Sequence, residues 1–195
     1  MKRLRLLGLF AFASTLIVLA SSGPGISRSK AMPDLPAPHL GYGFNIRHNL
    51  DMADGLGFDW IKLYEDLYPS PDDFPAKAAQ YHVLYRVKAE GQPFSLDVYL
   101  AHVQQLVLAG RGKVNAYEIG NEPNLGMFWG GQNPNPEQYG RLLCRVHDVI
   151  KSVDPNAFVV SAGLAPVGRT QPQNWVYAMD DRVFAQRMFD AILAA

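Results

Sequence analysis

Two carboxylates stand four residues apart in Tyr117-Glu118-Ile119-Gly120-Asn121-Glu122-Pro123-Asn124. Glu118 lies inside a short apolar run, and Glu122 lies just past its end, where Pro123 sets the direction in which the chain leaves. A carboxyl group at such an exit can give a proton to a leaving group and then take one from water. The two cannot work as a close pair if the run is a strand, because four residues span about 13 Å at ~3.3 Å each. Glu118 is therefore assigned a structural role, either an ion pair with Lys62 or Arg86 or an orienting hydrogen bond. Glu65, at the end of another apolar run, is the lesser option for a second, more widely spaced carboxylate. His82 and Tyr64 are weaker candidates for the same site, while Trp60 and Trp175 are assigned to packing. His39, His48, His82, His102 and His147 are scattered singly, with no zinc-ligand spacing, so neither a metal nor another cofactor is expected. The lone cysteine, Cys144, excludes an internal disulfide; it falls on the polar side of a helical stretch, with nothing nearby in sequence to activate the thiol.

The elements that must position these groups alternate in type. Apolar runs at 41–46, 60–64, 83–87, 116–119 and 158–162 predict five strands. Between the third and fourth, Leu96, Tyr99, Leu100, Val103, Leu106 and Val107 recur on one face at helical period, with Ser95 as N-cap and Gly110 just beyond the end. The next helix opens with Asn135 as cap and Pro136 in its first turn, carries Tyr139, Leu142, Leu143, Val146, Val149, Ile150 and Val153 on its apolar stripe, and closes at Asp154-Pro155. A shorter helical stretch is expected at 76–80 and a last helix at 183–193. Strands alternating with helices predict a parallel sheet in an α/β fold, either an open doubly wound sheet or a closed barrel. Gly41-Tyr42-Gly43 lies at the start of the first strand, not at its end where a phosphate loop belongs, which favours the barrel.

With these elements in place, Asn121-Glu122-Pro123 at the end of a fourth strand resembles the acid/base signature of clan A glycoside hydrolases, the group that includes the cellulase-type family. The frame is similar too, with Gly57-Phe58-Asp59-Trp60-Ile61-Lys62 entering the second strand and Ser161-Ala162-Gly163-Leu164 leaving the fifth. The resemblance covers about the last 155 residues and implies a (β/α)8 TIM barrel, of which about the first five strand–helix units are present. It also implies retaining hydrolysis of O-glycosidic bonds in a poly- or oligosaccharide. In that scheme Glu122 protonates the departing oxygen and later activates water, with its pKa raised by partial burial and a neighbouring carboxylate. Asn121 would hydrogen-bond the sugar 2-hydroxyl, and Phe128 and Trp129 would offer flat faces to a sugar ring, with loop packing as the alternative for Trp129. Lys62 stands where many relatives place an arginine. The family's nucleophile is a glutamate ending the seventh strand, and the sequence is expected to be a truncated form lacking that strand and inactive by itself.

The remainder of the chain sets the context. Lys2, Arg3 and Arg5 precede an uncharged run to Ala20, the pattern of a signal peptide (1–20) cleaved after Ala20 and followed by a Ser-, Pro- and Gly-rich linker (21–38). The domain is expected at 39–195, secreted, with no stable membrane insertion after cleavage; an uncleaved membrane anchor is the alternative. A formal net charge of zero, with no basic block beyond the first residues, argues against a nucleic-acid partner and fits a neutral substrate such as a carbohydrate. Two other classes stay open: a non-catalytic carbohydrate-binding protein, and a half-barrel completed by a partner chain.

Overall fold

Residues 43–47, 49–89, 95–167 and 177–195 are described by the structure, a computed structural model. The expected leader and linker, His39, His48 and Trp175 lie outside the described residues. Five strands form one sheet: β1 (Gly43–Asn45), β2 (Trp60–Tyr64), β3 (His82–Val87), β4 (Ala116–Ile119) and β5 (Phe158–Ser161). Every neighbouring pair is parallel, and the spatial order β1-β2-β3-β4-β5 is the order of the chain. The fold is thus α/β, and the described strands contain no reversal of order of the kind that gives doubly wound sheets their switch point.

Alternation along the strands sorts side chains between two faces. In register, Leu63, Tyr85, Tyr117 and Val159 form one row across β2 to β5. On the same face Ile61, Leu63, Val83, Tyr85, Val87, Tyr117 and Ile119 are at most 1% exposed. Helices α1 (Leu96–Gly110) and α2 (Pro136–Val153) contribute Val103, Leu106, Val107, Leu142, Val146 and Ile150 to this core. Burial of each large side chain is worth roughly 1.5–3 kcal/mol, so this face holds the sheet to its helices. Helix α3 (Asp181–Leu193) packs on α2, where any Cβ at Gly140 would meet Met188 O at 2.8 Å. The opposite face carries Trp60, Lys62, Tyr64, His82, Leu84, Arg86, Ala116, Glu118, Phe158 and Val160. None of the three helices covers it, and Phe158 remains 54% exposed.

Several expectations shift locally. Ser95 stands at the N-cap of α1 but its side chain makes no cap hydrogen bond. Gly110 is the last residue of α1 and not its C-terminal stop. It is a glycine because a Cβ there would run into the Tyr117 hydroxyl, and Gly112, at φ 74°, takes the left-handed turn instead. Residues Ala76–Gln80 form a 3-10 helix. Asp180 begins the last helix two residues earlier than expected by accepting the N–H groups of Arg182 and Val183. Asn135 caps α2 as its sequence requires, accepting the Gln138 N–H at 2.9 Å.

Candidate active site

The exit from β4 is bent sharply. Gly120 has φ 85° and Glu122 has φ 38°. A glutamate in left-handed backbone costs roughly 1–2 kcal/mol, and the residue before a proline ordinarily prefers extended backbone. Such strain persists only where its surroundings over-determine it, and it clusters at functional sites.

The surroundings are specific. Pro123 is buried and Asn124 is fully buried. The Asn124 amide donates to Ala165 O at 2.9 Å and Met179 O at 3.0 Å, and its oxygen accepts the Ala165 N–H at 2.9 Å. One side chain thereby joins the loops after β4 and β5 to the approach to α3. The backbone reinforces the join through Met179 N–H to Asn124 O at 2.9 Å, Gly126 N–H to Tyr177 O at 2.5 Å and the Leu125–Ala178 bridge. From beneath, the Tyr139 hydroxyl donates to Ile119 O at 2.7 Å and accepts the Ala162 N–H at 2.7 Å, tying the ends of β4 and β5 together. Burial pushes its phenol pKa well above the ordinary range.

Glu122 and Asn121 are both half-buried at this carboxyl edge, and no hydrogen bond or ion pair with another described residue engages the Glu122 carboxyl. The other carboxylates near the strand ends are committed. Glu118 lies on the uncovered face and pairs with Lys62, with Gly163 N–H at 3.4 Å from its other oxygen. Of the two partners expected from sequence, Lys62 takes it, while Arg86 reaches Asp66 at 2.9 Å. Glu65, the lesser option for a more widely spaced second carboxylate, bonds His102 at 2.7 Å and accepts the Lys88 N–H at 2.6 Å.

The aromatic residues divide. Trp129 is 3% exposed and stands edge-on to Tyr139, with centroids 6.3 Å apart, so its ring packs the core and offers no open face. This is the packing alternative, and it withdraws Trp129 from the expected sugar platform. Phe128 is half-exposed, beside Met127 at 59% and near Tyr177 at 45%. His82 lies tilted against Trp60 with centroids 4.9 Å apart, at the opening residues of β3 and β2 and hence at the edge opposite Glu122. Tyr64 lies at the carboxyl end of β2, its hydroxyl donating to Asn45 Oδ1. Burial raises its pKa, although the nearby Arg86 charge opposes that shift. Sequence patterns missed Asn124, Tyr177 and the Tyr139 hydroxyl. Tyr139 was legible only as part of an apolar stripe, and neither Asn124 nor Tyr177 belongs to any periodic pattern.

Among the described residues, no three His, Cys, Asp or Glu side chains come together as a metal site, and no helix is long and apolar enough to cross a membrane. The chain matches no protein-family model, and no curated protein matches it.

Proposed function

We propose that these residues are the opening strand–helix units of an exported clan A glycoside-hydrolase barrel, in which Glu122 is the acid/base group of a retaining reaction on an oligo- or polysaccharide. The observation that carries this reading is the position of Glu122. A carboxyl group with no partner among the described residues is held on strained backbone at the carboxyl edge of a parallel, sequentially ordered sheet. That edge is where barrels of this kind place their chemistry. A single helix-covered face and unreversed strand order also suit an arc of barrel wall better than an open sheet. Asn121 is the neighbour placed to bond a sugar hydroxyl, and Phe128 with Tyr177 replaces Trp129 as the stacking surface. The nucleophile is assigned to none of the described residues.

The test uses an external nucleophile. Without one, aryl glycosides should not turn over. With azide, a glycosyl azide should form, and Glu122→Gln should slow its formation about 100-fold from a phenyl glycoside, which needs protonation to leave. The same change should have little effect on a dinitrophenyl glycoside, which leaves unaided. Equal rates for both leaving groups in wild type and Glu122→Gln would remove Glu122 from the chemistry. Saccharide affinity without azide-dependent turnover would favour a non-catalytic binding module.

A further inference from the structure

The described sheet ends on two edge strands, β1 and β5, and the two are built differently. β1 sets Gly43 and Asn45 on the uncovered face, with Asn45 held by the Tyr64 hydroxyl, while Phe44 stacks on Phe58. β5 is Phe158-Val159-Val160-Ser161, without a charge or a proline. Phe158 and Val160 are 54% and 37% exposed, and Val159 is half-buried on the other face. Edge strands ordinarily discourage pairing with charge, proline or a cover, so an uncharged apolar edge invites another strand. One bond fixes the direction of its hydrogen-bonding groups. The Phe158 N–H donates to Asn115 O at 2.8 Å, so Phe158 and Val160 turn their backbone groups toward β4. Val159 and Ser161 turn theirs outward, where no strand among the described residues meets them. Phe189 of α3, 56% exposed, borders the same groove as Val159 and Ser161 and extends the apolar surface beyond the strand.

We infer that this edge pairs with the same edge of a second copy of the chain, the two β5 strands running antiparallel about a two-fold axis at Val160. The inference rests on the edge alone and is independent of the role given to Glu122. Antiparallel strands bond through opposed residues whose backbone groups face each other. With the axis at Val160, Val159 lies opposite Ser161 of the other copy, and both outward-turned residues of each strand are satisfied. An axis at Val159 would oppose Ser161 to Ala157, whose N–H and C=O are already taken by Asp154 O and Lys151 Nζ. An axis at Ser161 would oppose Val159 to Gly163, whose N–H lies 3.4 Å from Glu118. The side chains agree with the first register. Val160 meets its own copy on the uncovered face, and the large Phe158 falls opposite the small Ala162. None of these pairs brings two charges together, and a formal net charge of zero leaves the copies without mutual repulsion. A two-fold interface is self-complementary and closes at two copies. A four-residue edge falls short of the roughly 1,200 Å² of total surface that a stable pair buries, and Phe189 beside it supplies further apolar area.

Sedimentation of the full chain over a range of concentrations should show a monomer–dimer equilibrium. Val160→Lys sets two ammonium groups face to face on the axis and should raise the dissociation constant by more than about tenfold. Val160 is 37% exposed, and an unchanged circular dichroism spectrum will establish that the variant folds. A second measurement reads the register. Across a non-hydrogen-bonded antiparallel pair the Cα atoms stand about 4.5 Å apart, within the span of a disulfide. In a Cys144→Ser background, Val160→Cys should therefore oxidise to a covalent dimer, whereas Val159→Cys, opposite Ser161 of the other copy, should stay unlinked. A chain that remains monomeric, or one that forms open-ended aggregates in place of a dimer, would overturn the inference. So would a dimer as tight in Val160→Lys as in wild type, or cross-linking at position 159 as fast as at 160.

Discussion

Along β3, Val83, Tyr85 and Val87 point to a side where helices leave them at most 1% exposed, while His82, Leu84 and Arg86 point to the side that no described helix covers. The same alternation runs through β2 and β4, so one sheet carries two surfaces with different rules. On the covered side, shape and volume decide: Phe74, Tyr85 and Tyr117 meet edge to face, with centroids 5.2 and 6.4 Å apart. On the uncovered side, pairing decides, through Lys62 with Glu118, Arg86 with Asp66 and Tyr64 with Asn45. The first surface stabilises the fold. The second holds charge in fixed positions at some cost in desolvation.

The strongest way to break the covered side is alkali. Burial raises the phenol pKa values of Tyr85, Tyr117 and Tyr139 above the ordinary value of about 10. A raised pKa in the folded state means that the stabilisation is complete below about pH 10 and is lost as pH climbs toward the folded-state values. Far-ultraviolet circular dichroism should therefore follow cooperative unfolding above about pH 10, together with the absorbance of ionised tyrosine. A gradual tyrosine titration without unfolding would contradict the burial.

Next in size, Tyr117→Ala should cost about 3–5 kcal/mol in urea unfolding, the range for deleting a buried aromatic ring. Tyr117→Phe should be nearly neutral, because the Tyr117 hydroxyl is buried with no hydrogen-bond partner among the described residues. Asn124→Ala should cost about 3 kcal/mol, since it strands the Ala165 N–H, Ala165 O and Met179 O. It should also detach the approach to α3, seen as faster amide exchange at Gly126 and Met179.

On the uncovered side the effects are smaller. Lys62→Met should cost about 1–2 kcal/mol by leaving Glu118 without its cation, less than for a fully buried pair because Lys62 is 21% exposed. The double change Lys62→Met with Glu118→Gln should recover part of the loss, and a simple sum of the single costs would show that the two residues are not coupled. Smallest, and opposite in sign, Glu122→Gly should raise stability by about 1 kcal/mol or less through release of the φ 38° strain. A midpoint lower than wild type would mean that the glutamate side chain itself holds the loop.

How much of this was legible depends on the range of the interaction. Five strands, three helices and their parallel arrangement followed from short-period patterns and from caps such as Asn135-Pro136, which act within a few residues. The place of Glu122, after the apolar run 116–119 and before Pro123, was equally local. Trp129 was not decided locally, because its environment depends on Tyr139, a residue of the next helix that turns the ring inward. Gly110 misled for a similar reason: its lack of a side chain serves Tyr117 of β4 and not the end of its own helix.

The sequence by itself therefore determined the order and kind of the elements, which residues share a face, and the exit of a carboxyl group at the end of β4. Tertiary structure alone decided that Lys62 and not Arg86 answers Glu118, that Asn124 clasps three segments, and that Arg47 comes over the Tyr64 ring. Periodicity records the direction of a side chain from its own backbone, whereas a partner is chosen by register and distance between strands far apart in the chain.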